Sequence, residues 1–322
     1  MRMRLLDNII NYATNQVEGF CIVKTAQVKS NVKGADYLDL YVFDASGEIN
    51  AKLWDYDAEK NGIYASQDII KIRGTIVLFK EVEQLRIDRI RKATEHDAID
   101  MRLLVPCAPE SSADMYKRVL SYTELITDPS LLRVTQHALS LYENKLQYYP
   151  AALRLHHAYR GGLLYHMVTM LDAAKALCTV YEQLYPSLRA ELVYAGIILH
   201  DIEKIEELSV SELGMATAYT PSGELIGHIN MGVNLIGLIG KELNIDDDTI
   251  MLLQHIVLSH HGDPEYGSPK LPMFPEAEIV SKIDTLDAKL FTMYSELDAI
   301  EEGQLTDRIW SLDNRKLYKH WK

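Results

Sequence analysis

Cysteine is scarce in this 322-residue sequence, which contains only Cys21, Cys107 and Cys178. The three lie far apart, are odd in number and form no C-x-x-C pair, so the sequence supports neither a disulfide framework nor a zinc knuckle. We therefore expect reduced thiols, most of them buried.

Long apolar runs are also missing. No run reaches the roughly 18 residues needed to cross a bilayer, and the start, MRMRLLDNIINYATNQ, lacks the apolar core and cleavage site of a signal peptide. We expect a soluble cytoplasmic protein that does not associate with membranes. The composition, 48% hydrophobic and 25% charged, is that of a globular chain long enough for about two domains.

The chain lacks the excess of basic residues that is usual in nucleic-acid-binding proteins, since its formal net charge is −13. The charge is uneven, because residues 1–100 hold 14 Lys+Arg against 16 Asp+Glu, which leaves −11 for residues 101–322. An acidic domain can still hold a polyanion where bound metal ions supply positive charge. The net charge therefore weakens a nucleic-acid-binding function without excluding it.

Residues from about 18 to 92 alternate apolar and polar positions with a period of two, as short antiparallel strands do. Predicted strands lie at 37–43, 48–54, 68–79 and 84–91. The predicted inward positions in the first two are Leu38, Leu40, Val42, Ile49, Ala51 and Leu53. Five short strands in about 75 residues predict a small all-β barrel of the OB kind.

From about residue 112 the apolar positions recur three and four residues apart, which predicts helices. The segment 104–114 has two prolines and a small polar cluster, as a linker does. We predict an OB-like nucleic-acid-binding domain over 1–100, a linker over 101–114, and an all-α domain over 115–322.

Histidine and aspartate residues recur on the apolar helices of the second domain. His200 and Asp201 end the segment AELVYAGIILHD, and the others are His166, His228, His260, His261 and Asp284. A single histidine on an apolar helix is more often a hydrogen-bonded core residue than a ligand. Buried carboxylates, however, need a cation nearby, and the order H, HD, H, HH, D favours one shared site for a divalent metal.

The strings around these residues resemble the YhaM family of 3′-to-5′ exoribonucleases, which join an OB domain to an HD domain. They are HHAYRGGLLYHMVTM, LHDIEKIEEL, YTPSGELIGHINMG, LSHHGDPEYGSPKLPMFPEAEI and IDTLDAKL. The resemblance extends over nearly the whole chain to the terminal LDNRKLYKHW, and its motifs are specific in the helical half and generic in the β half. It implies an HD-type phosphohydrolase fold after the barrel.

The resemblance implies one divalent metal ion among His166, His200, Asp201 and Asp284. Asp201 would bridge to a second ion, whose other ligands would be His228 and one or both of His260 and His261. His260 is favoured over His261, and Asp287 is the alternative to Asp284. We expect one or two ions per chain, Mn²⁺ first, with Fe²⁺, Mg²⁺ or Co²⁺ as alternatives.

The implied chemistry is attack on phosphorus by a metal-activated water, with Asp201 and Lys204 as the catalytic residues. Lys204, one turn after Asp201, would neutralise a non-bridging phosphate oxygen, unless it is a surface lysine paired with Glu206 or Glu207. Glu203 stands where the family usually has a glycine, and its simplest interpretation is a solvent-facing side chain.

The predicted substrate contacts lie in both domains. Tyr37, Tyr41, Phe43 and Trp54 share one strand face with Lys52 and resemble a base-stacking platform, although such residues at least as often cover a barrel end. The basic cluster Arg86, Arg89, Arg91 and Lys92 either follows a backbone or is a solvated strand end. His156 and His157 either contact substrate phosphate or cap and pack at a helix start.

We therefore predict a metal-dependent exonuclease that releases nucleoside 5′-monophosphates from the 3′ end of single-stranded RNA, with single-stranded DNA as a second substrate to test. Two alternatives stay open. A phosphohydrolase of small or cyclic nucleotides would not need the OB-like domain, and a non-catalytic single-strand-binding regulator would not need buried carboxylates. The sequence leaves open the metal, the natural RNA and whether the chain forms a homo-oligomer.

Overall fold

The chain folds into two compact units, Met1–Cys107 and Ala108–Lys322, in a computed structural model that describes residues 6, 8–154, 157–262 and 267–321. The boundary between the units falls inside the segment predicted as a linker. Helical structure in the second unit begins at Ser112, three residues before the predicted start of the helical domain.

The first unit is a closed β barrel. Its strands are β1 (Ile10–Asn11), β2 (Gln16–Ser30), β3 (Asp36–Asp44), β4 (Gly47–Trp54), β5 (Ile69–Phe79) and β6 (Val82–Lys92), with a short helix α1 (Ala58–Asn61) between β4 and β5. Strands β2, β3 and β4 form an antiparallel meander. β4 then pairs in parallel with β6, which pairs with β5, and β5 returns to β2. This five-stranded closure is the OB-like barrel that the sequence predicted.

The alternation along the strands decides which side chains fill the barrel. The inward positions predicted on β3 and β4 are all no more than 6% exposed, and Leu40 and Ala51 are fully buried. Gly74 on β5 is required by a close approach, because a Cβ there would lie 2.3 Å from the carbonyl oxygen of Arg86. The register of β5 and β6 shifts at that point, so the strand bends there and helps to close the barrel.

The second unit is mainly helical. Its helices are α2 (Ser112–Thr123), α3 (Pro129–Leu146), α4 (Gly162–Leu184), α5 (Ala190–His200), α6 (Lys204–Glu207), α7 (Pro221–Leu225), α8 (Gly227–Leu243), α9 (Asp247–Ser259) and α10 (Pro275–Asp298). A short hairpin of β7 (Leu208–Val210) and β8 (Ala216–Tyr219), which an all-α prediction omits, connects α6 to α7. Helix α5 packs against α2, α3, α4, α8, α9 and α10, and every residue from Leu192 to His200 is buried. The histidine and aspartate at its end therefore lie in the middle of the domain.

Helix α4 differs from the expectation that no segment could span a membrane. It is long and apolar enough to do so by length and composition, and half of its most apolar stretch is buried inside the unit. The helical core includes Leu164, Met167 and Leu171 of this helix. Asp172 accepts a hydrogen bond from the hydroxyl of Tyr122. Packing in the core therefore accounts for the apolar character of this helix.

A hairpin-like segment follows α10. Leu305 forms a bridge with Tyr318, and Ile309 forms one with Arg315. The tip is a single 3-10 turn, Trp310–Leu312. A small apolar cluster anchors the segment to the end of α10 and consists of Leu297, Ile309, Leu312 and Leu317.

Candidate metal centre

The seven residues predicted as metal ligands come together in the helical unit. They are His166 on α4, His200 and Asp201 at the end of α5, His228 in the first turn of α8, His260 and His261 after α9, and Asp284 on α10. All except His261 are less than 10% exposed. Their donor atoms form overlapping groups in which every pair of atoms lies within 4.8 Å, and Asp201 belongs to two of these groups.

The two oxygens of Asp201 face different histidines. Oδ2 lies 3.3 Å from Nε2 of His200 and 3.7 Å from Nε2 of His166. Oδ1 lies 3.3 Å from Nε2 of His228 and 3.6 Å from Nε2 of His260. The carboxylate therefore lies between two pairs of rings, with one oxygen toward each pair.

Backbone carbonyls orient two of the histidine rings. Nδ1 of His200 lies 2.7 Å from the carbonyl oxygen of Ile197, and Nδ1 of His260 lies 2.7 Å from that of Val257. A carbonyl can only accept a hydrogen bond, so Nδ1 carries the proton in the neutral ring. Nε2 then carries a free lone pair on the side of the ring that faces Asp201. A metal-binding histidine usually has this arrangement, with one ring nitrogen hydrogen-bonded and the other free to bind the metal.

Carboxylates orient two further rings. Glu207 Oε1 lies 2.8 Å from Nδ1 of His228, and Asp287 Oδ2 lies 2.7 Å from Nδ1 of His166. The sequence analysis did not assign Glu207 to the site, because the β7–β8 hairpin and α7 separate it from His228 and no local pattern connects the two. These carboxylates fix the rings from behind, as the outer partners of metal ligands do.

Four buried atoms at the centre have no hydrogen-bond partner within the described residues. They are Nε2 of His200, Nε2 of His228, Nε2 of His260 and Oδ1 of Asp201. An unsatisfied buried polar atom costs about 1–3 kcal/mol, and folded proteins contain few of them. Four such atoms in one cluster fit bound cations, and the mixed nitrogen and oxygen donors suit a divalent ion such as Mn²⁺ or Fe²⁺. The cluster is able to hold a metal.

Burial and charge act differently on two of the imidazoles. Burial lowers the pKa of His260 to about 3, so this ring is neutral at pH 7. Burial also opposes protonation of His166, but its hydrogen bonds to Asp284 and Asp287 outweigh burial and raise the pKa to about 9. A histidine must be neutral to bind a metal, so binding at His166 displaces a proton.

The two aspartates of α10 have different positions. Asp284 Oδ1 lies 3.3 Å from Nε2 of His166, on the inner side of the ring. Asp287 lies on the outer side, where its Oδ2 is 2.7 Å from Nδ1 of His166 and 2.8 Å from Nε2 of His157. Asp284 therefore has the position of a ligand, and Asp287 that of an orienting group.

Lys204 is buried rather than on the surface. Its Nζ lies 2.7 Å from Asp201 Oδ2, and only 7% of the residue is exposed. The alternative pairing with Glu206 is wrong, because Glu206 binds Lys145 at 2.7 Å. Lys204 also lines the cavity beside the centre together with Asp284, where it can meet an anionic ligand.

Glu203 does not face solvent, contrary to the sequence interpretation. It is 6% exposed, and the hydroxyl of Tyr142 donates a hydrogen bond of 2.6 Å to its Oε1. Helix α6, which follows it, is covered by α3 and α8. Burial raises the pKa of this carboxyl, and the contact with Tyr142 joins α3 to the turn that carries Asp201.

The two adjacent histidines before α4 were predicted either to contact substrate or to pack at the helix start, and the structure describes only one of them. His156 lies outside the described residues. His157 is 2% exposed, and its ring contacts the hydroxyl of Tyr159, Asp287 Oδ2 and the ring of Phe291. These contacts favour packing behind His166 over direct contact with a substrate phosphate.

The predicted aromatic platform lies on the outer face of β3 and β4. Tyr37 is directly opposite Trp54, with ring centroids 4.7 Å apart, and Nζ of Lys52 is 5.1 Å from the Tyr37 ring centre. Tyr41 is 46% exposed and Trp54 43%, whereas Phe43 is half-buried. We call Tyr37, Tyr41, Lys52 and Trp54 the aromatic surface.

The basic cluster on β6 is largely occupied with local ion pairs. These pairs are Arg86 with Asp88, Arg91 with Asp97, and Lys92 with Asp68. This pairing favours a solvated strand end over a track for a nucleic-acid backbone.

Known structures with similar regions include several OB folds. A replication protein A heterotrimer bound to single-stranded DNA is 17% identical over 26% of this chain and 60% of its own, with a TM-score of 0.21. The second OB-fold domain of replication protein A from Methanococcus maripaludis is 17% identical over 30% of this chain and 97% of its own, at 0.21. An OB domain from Thermoplasma acidophilum is 13% identical over 29% and 90%, at 0.24. At these values the strand order itself, rather than the similarity, identifies the barrel.

The family model described as the HD domain matches residues 163–289. This range contains all seven residues of the histidine and aspartate cluster. Residues 163–289 are therefore similar to an HD domain, and a match to this family indicates a metal-dependent phosphohydrolase.

Proposed function

We propose that this protein is a metal-dependent 3′-to-5′ exoribonuclease that acts on single-stranded RNA, and on single-stranded DNA where the strand fits. The observation that carries the proposal is that the buried Nε2 atoms of three histidines face the carboxylate of Asp201, and that these three atoms and Asp201 Oδ1 have no hydrogen-bond partner among the described residues. A divalent metal bound there supplies Lewis acidity and lowers the pKa of a bound water. The 3′-to-5′ polarity and the RNA substrate rest on the resemblance of the helical motifs to the YhaM family.

The protein's own contribution to metal binding is orientation. Each ring of His166, His200, His228 and His260 is held at Nδ1 by a carbonyl or a carboxylate. The Nε2 atoms are therefore directed at the centre before a metal arrives, and little side-chain freedom is lost on binding. Asp201, with one oxygen toward each pair of rings, would hold both ions.

Lys204 would act on the phosphate rather than on the metal. Its ammonium group lies on the wall of the cavity beside Asp284. A positive charge in this water-poor position stabilises the negative charge that develops on a non-bridging oxygen. In the structure the Asp201 carboxylate balances this charge at 2.7 Å.

The aromatic surface is an argument for a polymeric substrate. Stacking of a base on an exposed aromatic ring contributes about 1–3 kcal/mol without demanding a particular sequence. Lys52, which lies beside the rings of Tyr37 and Trp54, adds positive charge for a phosphate. A hydrolase of small nucleotides would gain nothing from such a surface on a separate barrel.

The test uses RNA and DNA oligomers labelled at either end, with and without Mn²⁺. A 5′-labelled single strand should give a descending ladder, and a 3′-labelled strand should release labelled mononucleotide at once. Internal fragments would contradict the exonuclease, and rapid hydrolysis of cyclic or small nucleotides with intact oligomers would support the alternative enzyme.

A further inference from the structure

A cavity of about 400 Å³ opens beside the metal centre. Its wall includes Lys204, His261 and Asp284, so one end of it is part of the candidate site. The volume lies near the lower end of the range for small-molecule sites, roughly 300–1,000 Å³. It therefore suits a single nucleotide unit rather than a longer segment.

One face of α10 forms the side of this cavity. The lining residues Thr285, Ala288, Lys289 and Thr292 recur at three- and four-residue intervals. This stripe begins directly after Asp284 and extends about 10 Å along the helix, at 1.5 Å per residue. Lys289 adds a second positive charge to the wall.

Trp310 also lines the cavity and is unusually exposed. Its relative exposure is 74%, although the flanking Ile309 and Leu312 are 8% and 1% exposed. The two buried neighbours anchor the turn, so the indole is presented from a fixed backbone. A large aromatic ring held in this way next to a catalytic centre is typical of a binding surface rather than of a core.

The chain beyond Trp310 is shaped to hold this turn. Asp313 and Asn314 both have a φ of 56°, and the amide of Arg315 donates to the carbonyl oxygen of Leu312. Two consecutive positive φ values are those of a type I′ turn, which Asp and Asn tolerate better than most residues. The sequence LDNR therefore positions the tryptophan.

A second cavity of about 350 Å³ lies along the same segment and shares Trp310, Thr292 and Ser311 with the first. Its charged lining residues are Arg154, Arg308, Glu296 and Asp307. The indole of Trp310 therefore borders both cavities.

We propose that Trp310 stacks on the base of the nucleotide whose phosphate lies at the metal centre. The chemistry of the cavity specifies this ligand, since its lining offers Asp284, His261 and Lys204 to a metal-bound anion and an indole to a planar ring. A nucleoside monophosphate unit has both parts. The proposal rests on the proposed function and assigns to it the subsite for the 3′-terminal nucleotide.

The first test is the tryptophan fluorescence of the full chain, titrated with adenosine 5′-monophosphate in the presence of Mn²⁺. Both proteins carry Trp54→Phe, which removes the indole of the aromatic surface, and stacking should give a saturable quench that is present while Trp310 is intact and missing when Trp310→Phe is added. Binding detected by calorimetry without any difference in quenching between the two proteins would overturn the proposal.

The second test separates KM from kcat on single-stranded RNA. Loss of one stacked base should raise KM about 5- to 150-fold in Trp310→Ala, with little change in kcat. Trp310→Phe should restore most of the affinity. Tyr185→Ala is the matched control, because this tyrosine is 61% exposed and lines neither cavity.

The outcomes distinguish this proposal from the proposed function. RNA degradation with an unchanged KM in Trp310→Ala would overturn the subsite and leave the exonuclease standing. A Trp310-dependent quench in a chain that degrades no RNA would support the nucleotide subsite and overturn the exonuclease. Should Trp310→Ala fail to fold, as judged by circular dichroism, the Trp310→Phe quenching difference decides.

Discussion

Glu207 holds His228 at two points. Its Oε1 accepts hydrogen bonds from the backbone amide of His228 at 3.0 Å and from Nδ1 of its ring at 2.8 Å. The two residues are separated by the β7–β8 hairpin, which returns the chain to the end of α6. The carboxylate thus fixes both the start of α8 and the direction of the Nε2 atom.

Replacing this carboxylate should weaken metal binding without removing a ligand. We expect Glu207→Ala to lower metal affinity roughly 10- to 100-fold, the usual effect of losing an outer partner of a ligating histidine. Isothermal titration with Mn²⁺ measures this. Glu206→Ala is the matched control, since Glu206 binds Lys145 instead, and equal losses in both variants would contradict the role of Glu207.

Metal removal should lower thermal stability. A cation would satisfy the four atoms at the centre that have no partner among the described residues, and a metal present at 100 times its Kd stabilises the folded state by about 2.7 kcal/mol. Melting curves with Mn²⁺ and with a chelator should differ in Tm for the wild type and coincide for Asp201→Asn. An unchanged wild-type Tm after verified metal removal would argue against a metal at this cluster.

The aromatic surface should contribute to single-strand binding. We expect Tyr41→Ala to raise the Kd for single-stranded RNA by a factor corresponding to about 1–3 kcal/mol, while turnover at saturating substrate changes little. Tyr41→Phe keeps a ring and should bind nearly as the wild type does. If Tyr41→Ala instead unfolds the barrel, and no folded variant with weakened RNA binding is observed, Tyr41 stabilises the barrel by packing and does not stack on bases.

Lys52 should affect the salt dependence of binding rather than stacking. Each phosphate contact that is lost reduces the number of counterions released, so Lys52→Ala should lower the slope of log affinity against log salt by roughly 1. Filter binding over a series of salt concentrations gives this slope. A parallel shift with an unchanged slope would show that Lys52 does not contact phosphate.

Local periodicity explains what the sequence could predict. The inward positions from Leu38 to Leu53 follow a period of two, and the strands β3 and β4 form where that period occurs. The central position of His200 and Asp201 could also be predicted, because they end a helix that is apolar on every side. Their role as ligands, like that of the other five residues, comes from the family resemblance and stays a prediction. In both cases the signal lies within one short segment.

Tertiary contacts explain what the sequence could not predict. The sequence alone indicates that Glu203 is a surface residue. In the folded domain α3 and α8 pack against the helix that follows it, and Tyr142 donates a hydrogen bond to its carboxylate. The contact of Glu207 with His228 depends on a hairpin that is too short to have a clear strand pattern. Trp310 and Asp284 line the same cavity from segments that are distant in sequence, so no local pattern could indicate this arrangement.

The central claim is that the protein degrades single-stranded RNA from its 3′ end and that Asp201 would hold the metal ion that this reaction needs. The most direct measurement is the metal content and the 3′-to-5′ ladder on 5′-labelled RNA for the wild type, Asp201→Asn and the surface control Asp298→Asn. We predict bound metal and a Mn²⁺-dependent ladder for the wild type and Asp298→Asn, and neither for a folded Asp201→Asn. Retained metal and near-normal turnover in Asp201→Asn would contradict the account.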